Sequence, residues 1–384
     1  MQGCWDAETW NNKGLQVYAD GSPERGLKML QMAHQLLPKS GVVLLNLGFI
    51  EAAMGNELAA ARCYTMALED PVARASASKN LGFLELKQGN PQRGWPLHHQ
   101  RFADPQLMRG HWQGPEDRTD APLLVWNDVG QGDAIQFSRY LPALIERGFR
   151  LRLAVQPPLV PLFEHWLPVA HRQALDVQPL SEAIWSGVKR HVPVMGLCRL
   201  LDPALRQASD CTEAYLVDPM PPKSNPVREL PPGRRIGLCW GTNPGDPSLY
   251  KQKSIPLKLL LNGIRWQATD HRISLQRGEH QDRNQWRSAF AAELPDTADW
   301  CETGRWILSC DLVISADTAV AHLCGALGIP VLVVLPFHPD WRWRYGSNPC
   351  RWYRSCTTLE QQRLGDWASL LPALNQALED YPIR

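Results

Sequence analysis

The chain has 384 residues, 44% hydrophobic and 21% charged, with 40 Lys+Arg against 39 Asp+Glu for a net charge of +1. Such a composition fits a globular chain of two or three domains. It argues against a global field drawing the chain to nucleic acid or a membrane surface, and no apolar run is long enough to span a bilayer.

The opening "MQGCWDAETWNNKG" has no basic segment followed by an apolar one, so it does not read as a secretory signal. Ten cysteines are scattered without a C-x-x-C pair, which suggests neither a zinc ribbon nor a redox motif. Reduced thiols and a cytoplasmic location are the simplest expectation.

The first hundred residues repeat. Gly14, Gly48 and Gly82 are 34 apart, and Gly21, Gly55 and Gly89 follow each by seven. Leu30, Tyr64 and His98 keep the phase, as do Ala33 and Ala67 with Arg101 as a weak third. Pro38, Pro71 and Pro105 close the units within one residue of phase. This pattern resembles the tetratricopeptide repeat, two antiparallel helices per unit, over residues 1–108. One glycine column would let two helices approach, and the other would make the turn. Such repeats carry a possible peptide or protein partner.

Residues 102–122, polar and rich in Gly and Pro, read as a linker. The pattern then becomes α/β over 120–220. "LLVWND" is a strand, "VGQGD" a glycine loop and "AIQFSRYLPALIERG" a helical segment. "FRLRLAVQ" is a second strand, "PPLVPLFEHW" a short helix, and "HVPVMGLC" a strand or a cleft-lining loop. Six prolines within residues 219–233 preclude regular structure and mark a second linker.

From 234 to 384 the grammar restarts with "RRIGLCWGTN", "HRISLQRG", the helical "CETGRWILSC", "DLVIS" and "PVLVVLP". Strands alternating with helices imply parallel sheets, hence two Rossmann-like lobes with ligand beyond the strands' carboxyl ends. Between the last two strands "TAVAHLCGALG" is a helix. Asp317 or Thr318 would cap it, Gly328 would end it and Pro330 would stop it. The amides of Ala319 and Val320 then face a strand end, where a helix N-terminus suits a diphosphate. His322, one turn in, either reaches the same spot or is a satisfied core histidine. Thr242 follows one strand with Lys253 beyond it, and Gln276 and Glu279 end another. A hydroxyl, a cation, a carboxylate and a helix N-terminus together form a nucleotide-diphosphate pocket in kind.

These segments, with "SADTAVAHLCGALG" and "GQGD" the most specific, resemble family 9 glycosyltransferases, the group containing lipopolysaccharide heptosyltransferases. The likeness is greatest to bacterial members with N-terminal tetratricopeptide repeats, and it covers about residues 10–380. It implies a GT-B fold, with a nucleotide-diphosphate sugar donor in the second lobe and a glycan or protein acceptor on the first. It also implies inverting chemistry that needs neither metal nor cofactor. Asp133 takes the position of the catalytic base, and Gly130 and Gly132 belong to the acceptor-side loop. Lys253, Asp317, Thr318 and His322 take donor-binding positions, with Thr242 and Glu279 matching more loosely. As an N-cap for "AIQFSRYLPALIERG", Asp133 has an equally direct structural reading. The chain departs from the family after "DWRW", where "SNPCRWYRSCTTLEQQ" brings in Cys350 and Cys356.

Two other classes compete. One is an interaction protein whose GT-B part is an inert scaffold, with a protein O-glycosyltransferase as its catalytic cousin. The other is a dinucleotide oxidoreductase, which the missing G-x-G-x-x-G spacing disfavours. Trp341, Trp343 and Trp352 would stack a nucleobase or lie under snorkelling arginines, and overall neutrality favours structure over nucleic acid.

Overall fold

A computed structural model describes residues 5–102, 108–201, 213–220, 225–245, 247–278, 284–344, 350 and 352–381. The chain divides into two compact units: residues 1–109 with 338–346, and residues 110–337 with 347–384.

The first unit holds three helix pairs: α1 (Ala7–Ala19) with α2 (Pro23–Leu36), α3 (Gly41–Ala53) with α4 (Glu57–Ala67), and α5 (Arg74–Lys87) with α6 (Pro91–His99). Both glycine columns have a physical cause. A Cβ on Gly14 would lie 3.0 Å from the Gly26 carbonyl, and one on Gly82 2.6 Å from the His98 amide, so the paired helices touch backbone to side. Gly21, Gly55 and Gly89 follow the first helix of each pair with φ of 92°, 86° and 79°, a conformation that L side chains resist. Leu30, Tyr64 and His98 are buried at the pair centres. Pro105 lies outside the described residues. The short helix Trp341–Arg344 belongs to this unit. Trp341 stacks on Phe83 at 6.4 Å and meets Trp95 edge-on at 5.4 Å, and the His338 ring lies against Gly55.

The second unit contains two parallel-sheet α/β lobes. In the first, β1 (Leu123–Trp126), β2 (Leu151–Val155), β3 (Leu175–Pro179) and β4 (His191–Pro193) lie in the order β3-β2-β1-β4. In the second, β5 (Arg235–Cys239), β6 (His271–Ser274), β7 (Ala292–Glu293), β8 (Leu312–Ala316), β9 (Val331–Leu335) and β10 (Cys356–Glu360) lie in the order β10-β9-β8-β5-β6-β7. Counted from its own first strand, the second sheet runs 3-2-1-4-5-6, the doubly wound order, and the first runs 3-2-1-4. Strands β8 and β9 are buried throughout, as parallel strands covered on both faces must be. Trp166, Trp240 and Trp352 are fully enclosed. Rings of this size each bury apolar area with a gross transfer energy of about 4–6 kcal/mol.

One expectation changes and one is resolved. Residues 110–119 are not a free linker. Trp112 is fully buried, its amide donates to the His191 carbonyl at 2.8 Å, and its indole N–H donates to the Asp117 carbonyl at 3.0 Å. "HVPVMGLC" resolves into β4 followed by the helix Gly196–Leu201. Among the described residues no helix is long and apolar enough to cross a membrane.

Candidate functional site

In a doubly wound sheet the crossovers leave on opposite faces at one place, and a crevice opens there beyond the strand ends. In the second lobe that place lies between β5 and β8, where Cys239 pairs with Ser315. The residues just past those two strands are Gly241 and Thr242 on one side, Asp317 and Thr318 on the other.

The helix Ala319–Leu327 starts at this crevice. Its N-cap residue is Thr318, with extended backbone (φ −137°, ψ 170°) and no side-chain cap bond. The cap thus falls on Thr318, one of the two residues expected, but its hydroxyl makes no cap bond. The Thr318 hydroxyl turns to Ser315 Oγ at 3.1 Å and the Cys239 thiol at 3.6 Å, and Asp317 accepts from Lys253 Nζ at 2.6 Å. The first-turn amides thus keep their orientation toward the crevice, with a cation beside them. Gly328 ends the helix in the left-handed region at φ 71°, ahead of Pro330. Burial pushes the Cys239 thiol up to about 11, so it stays neutral and packs.

Lys253 is carried by the helix Pro247–Lys253. Thr242 is tied to the following turn, its amide donating to Ser254 Oγ at 3.0 Å. Gln276 is fully committed. Its carbonyl oxygen accepts the amides of Trp240 (3.0 Å) and Gly241 (2.9 Å), and its NH₂ donates to the carbonyls of Gly241 (3.0 Å) and Arg277 (3.3 Å). Both lone pairs and both protons are used. This corrects the donor-contact expectation: the side chain fixes the loop after β5 instead of facing a ligand. Glu279 lies outside the described residues.

His322 is 5% exposed, and its Nδ1 shares a 2.9 Å hydrogen bond with the Tyr353 hydroxyl. The other side of the ring looks toward the first lobe: a Cβ on Gly132 would lie 2.9 Å from His322 Cδ2 and 3.2 Å from Ala319 Cα. The glycine loop after β1 therefore meets the N-terminal turn of Ala319–Leu327 at close range. Gly130 is the N-cap of the helix Gln131–Phe137, and Asp133 reaches back to it, Oδ2 accepting the Gly130 amide at 3.1 Å. Asp133 is thus the third helical residue, making the one bond of a capping box that a glycine cap leaves possible, and not the N-cap itself.

Two further ties join the lobes, and neither was read from the sequence. The Trp300 indole N–H donates to Gln131 Oε1 at 2.6 Å. Arg139 is buried and donates through Nη1 to the Trp352 carbonyl at 2.7 Å, with its guanidinium 4.7 Å from the Tyr353 ring and 5.0 Å from that of Tyr215. An arginine set in the mostly apolar run from Phe137 to Leu144 was the available signal. Tyr353, 31 residues from its histidine, gave none. Trp341, Trp343 and Trp352 are buried, which removes the nucleobase-stacking alternative for them. Cys350 and Cys356 are buried too; a hydrogen bond from Cys356, then the amides of Trp352 and Tyr353, hold the Cys350 thiol down to about 7. Among the described residues no group of His, Cys, Asp and Glu is arranged to hold a metal ion.

No family model matches the chain. It is 26% identical over 423 residues to Protein FlbA of Caulobacter vibrioides (strain ATCC 19089 / CIP 103742 / CB 15), an alignment spanning 98% of this chain and 67% of FlbA. Among solved structures it is similar to ADP-heptose lps heptosyltransferase II of E. coli (TM-score 0.43, 14% identity, 67% of this chain and 99% of that one). It is also similar to E. coli heptosyltransferase WaaC with ADP (TM-score 0.43, 12% identity, 68% and 100%).

Proposed function

We propose that the chain is a glycosyltransferase that moves a sugar from a nucleotide-diphosphate donor to a hydroxyl acceptor with inversion. The observation that carries the reading is the crevice between β5 and β8. There Lys253, paired with Asp317, stands beside a helix N-terminus without a side-chain cap, and the glycine loop of the other lobe closes over it. The sequence resemblance to family 9 enzymes supports the same residues in the same roles, with tetratricopeptide-like repeats at the N-terminus.

In this mechanism the acceptor hydroxyl attacks the anomeric carbon from the first-lobe side. Its proton passes to the Asp133 carboxylate as the new C–O bond forms. The bond between the anomeric carbon and the diphosphate oxygen breaks, and the charge developing on the leaving diphosphate falls on Lys253 and the amides of Ala319 and Val320. Fixed donors aimed at developing charge are commonly the largest catalytic term. His322, held by Tyr353, lines the same turn. Thr242 and Thr318 shape the wall behind it.

Calorimetry on the full chain with a panel of nucleoside diphosphates and their sugar conjugates tests the reading. One conjugate should bind in the presence of EDTA, and Lys253→Ala should weaken it about tenfold or more, the usual cost of a charge-assisted phosphate contact. Absence of binding across the panel, or an unchanged affinity in Lys253→Ala, removes the assignment.

A further inference from the structure

The segment that departs from the family after "DWRW" carries two cysteines that the crevice does not use. Cys356 is the first residue of β10, in register with Val331, and its amide donates to the Tyr353 carbonyl at 3.2 Å. The Val331 amide donates to the Ser355 carbonyl at 2.9 Å, which ties the end of this turn to β9. Trp352 and Tyr353 are fully enclosed. The turn brings the two thiols together, and the Cys356 S–H donates to the Cys350 sulfur.

Their surroundings make the two sulfurs chemically different. The bond from Cys356, the amides of Trp352 and Tyr353, and the buried guanidinium of Arg139 on the first lobe together outweigh burial at Cys350, holding its thiol down to about 7. Cys356 keeps its proton: the shared bond, then burial, then the charges that Cys350 and Cys324 would carry push its thiol well up. Elsewhere burial pushes up the thiols of Cys63, Cys239, Cys301, Cys310 and Cys324. The thiolate is the reactive form, so Cys350 is a nucleophile with a proton-bearing partner at hand. That is the arrangement of an attacking and a resolving cysteine.

We propose that Cys350 and Cys356 form a dithiol that hydrogen peroxide oxidises to a disulfide, locking the turn that carries Tyr353. Burial selects the oxidant. Cys350 is 6% exposed and Cys356 4%, which admits a peroxide and keeps out a bulky disulfide. The Cys350 sulfur attacks one peroxide oxygen, the O–O bond breaks, and the departing hydroxide takes up the proton that Cys350 had lost. The Cys356 sulfur then attacks the sulfenic acid at Cys350. The S–O bond breaks, and the hydroxyl leaves as water with the Cys356 proton. Two thiols and one peroxide give one disulfide and two waters. Sulfurs already in hydrogen-bond contact have only to close to about 2.05 Å. The lock bears on the crevice through Tyr353, whose ring lies against Gly325 and whose hydroxyl holds His322 Nδ1. The inference stands apart from the glycosyltransferase reading, since no donor or acceptor enters it.

The test treats the full chain with one equivalent of hydrogen peroxide at pH 7 and blocks the remaining thiols with N-ethylmaleimide. Arg351 and Arg354 stand between the two cysteines, so trypsin separates them unless a disulfide joins them. The joined peptides should be the main oxidised product by mass spectrometry, and dithiothreitol should release them. Their rate of formation should rise only about twofold from pH 7 to pH 9, against about twenty-fivefold for a thiol of ordinary acidity. In Cys356→Ser, which keeps a hydrogen-bond donor for Cys350, the reaction should stop at the sulfenic acid, and dimedone should label Cys350. Amide exchange at Trp352, Tyr353 and Cys356 should slow about tenfold or more in the oxidised chain. Oxidation spread evenly over the cysteines overturns the proposal, as does the steep pH dependence of an ordinary thiol. So does a Cys356→Ser variant, folded by circular dichroism, that takes no dimedone, or exchange that oxidation leaves unchanged.

Discussion

Replacing Gly132 by alanine probes a close approach between the two lobes. Two effects oppose each other. Gly132 lies in the first turn of Gln131–Phe137, and alanine there gains at most about 1 kcal/mol of helix propensity over glycine. Against this, the new methyl would stand 2.9 Å from His322 Cδ2 and 3.2 Å from Ala319 Cα, where contacts between carbons are normally about 3.5–4.0 Å. The ring cannot swing freely, because Tyr353 holds Nδ1, and Ala319 Cα is backbone. Overpacking of this kind costs about 1–3 kcal/mol, so a net loss of about 1–2 kcal/mol is expected. Urea unfolding followed by tryptophan fluorescence reads it. A double-mutant cycle isolates the cause: in a His322→Ala background the nearest obstacle is gone and the same substitution should cost less. Gly132→Ala as stable as the unaltered chain, or costing the same in both backgrounds, would refute the close approach.

Three more outcomes follow from particular contacts. Tyr353→Phe removes the hydroxyl from buried His322 Nδ1 and should lower stability by about 1–3 kcal/mol while depressing kcat more than it raises the donor KM; unchanged unfolding and kinetics would make that bond incidental. Asp133→Asn keeps an oxygen for the Gly130 amide, so unfolding should hold while transfer falls about 10²–10⁴-fold; near-normal turnover would leave Asp133 as a cap. Burial first, then the charges of Arg101, Arg342 and Lys79, pushes the pKa of His98 down to about 2 from an ordinary 6.5. The unfolded chain then binds a proton that the folded one refuses, so this contribution is whole above pH 6.5 and lost as pH falls below it. His98→Leu, which matches Leu30 in its column, should flatten the loss of unfolding midpoint between about pH 7 and pH 5. Identical slopes would count against the burial of a neutral imidazole.

What could be read from the sequence was whatever meets a local demand. The glycine columns were legible because a turn and a helix crossing each exclude side chains. Strands β8 and β9 were legible because burial on both faces leaves unbroken β-branched runs. Strand β3 was not: Asp176 is exposed and Gln178 only half-buried, so "LDVQP" looks like a loop. The helix Pro247–Lys253 is seven residues of mostly polar sequence, too short for a period to show, although it carries the lysine on which the site turns. The crevice residues Lys253 and Asp317 were both singled out, but not their bond, since 64 residues separate them and only the strand order brings them together. Gln276 misled for a related reason. A polar side chain at a strand end looks ligand-facing until the backbone groups that consume it are known.

The segment 338–344 has a bearing on how the protein is made. It leaves the second lobe after β9, contributes Trp341 to the helical unit, and returns to form β10. On the ribosome the six repeat helices emerge first but lack one wall of their aromatic core. At about 5–20 residues per second that wall arrives on the order of ten to fifty seconds later. During that interval Phe83 and Trp95 stand without their partner, and the first lobe and the second as far as β9 are synthesised before the first unit can finish. The order of emergence therefore differs from the order of completion. A nascent chain arrested near residue 330 should show the helical unit formed yet more easily cleaved by protease around Phe83 than in the released protein.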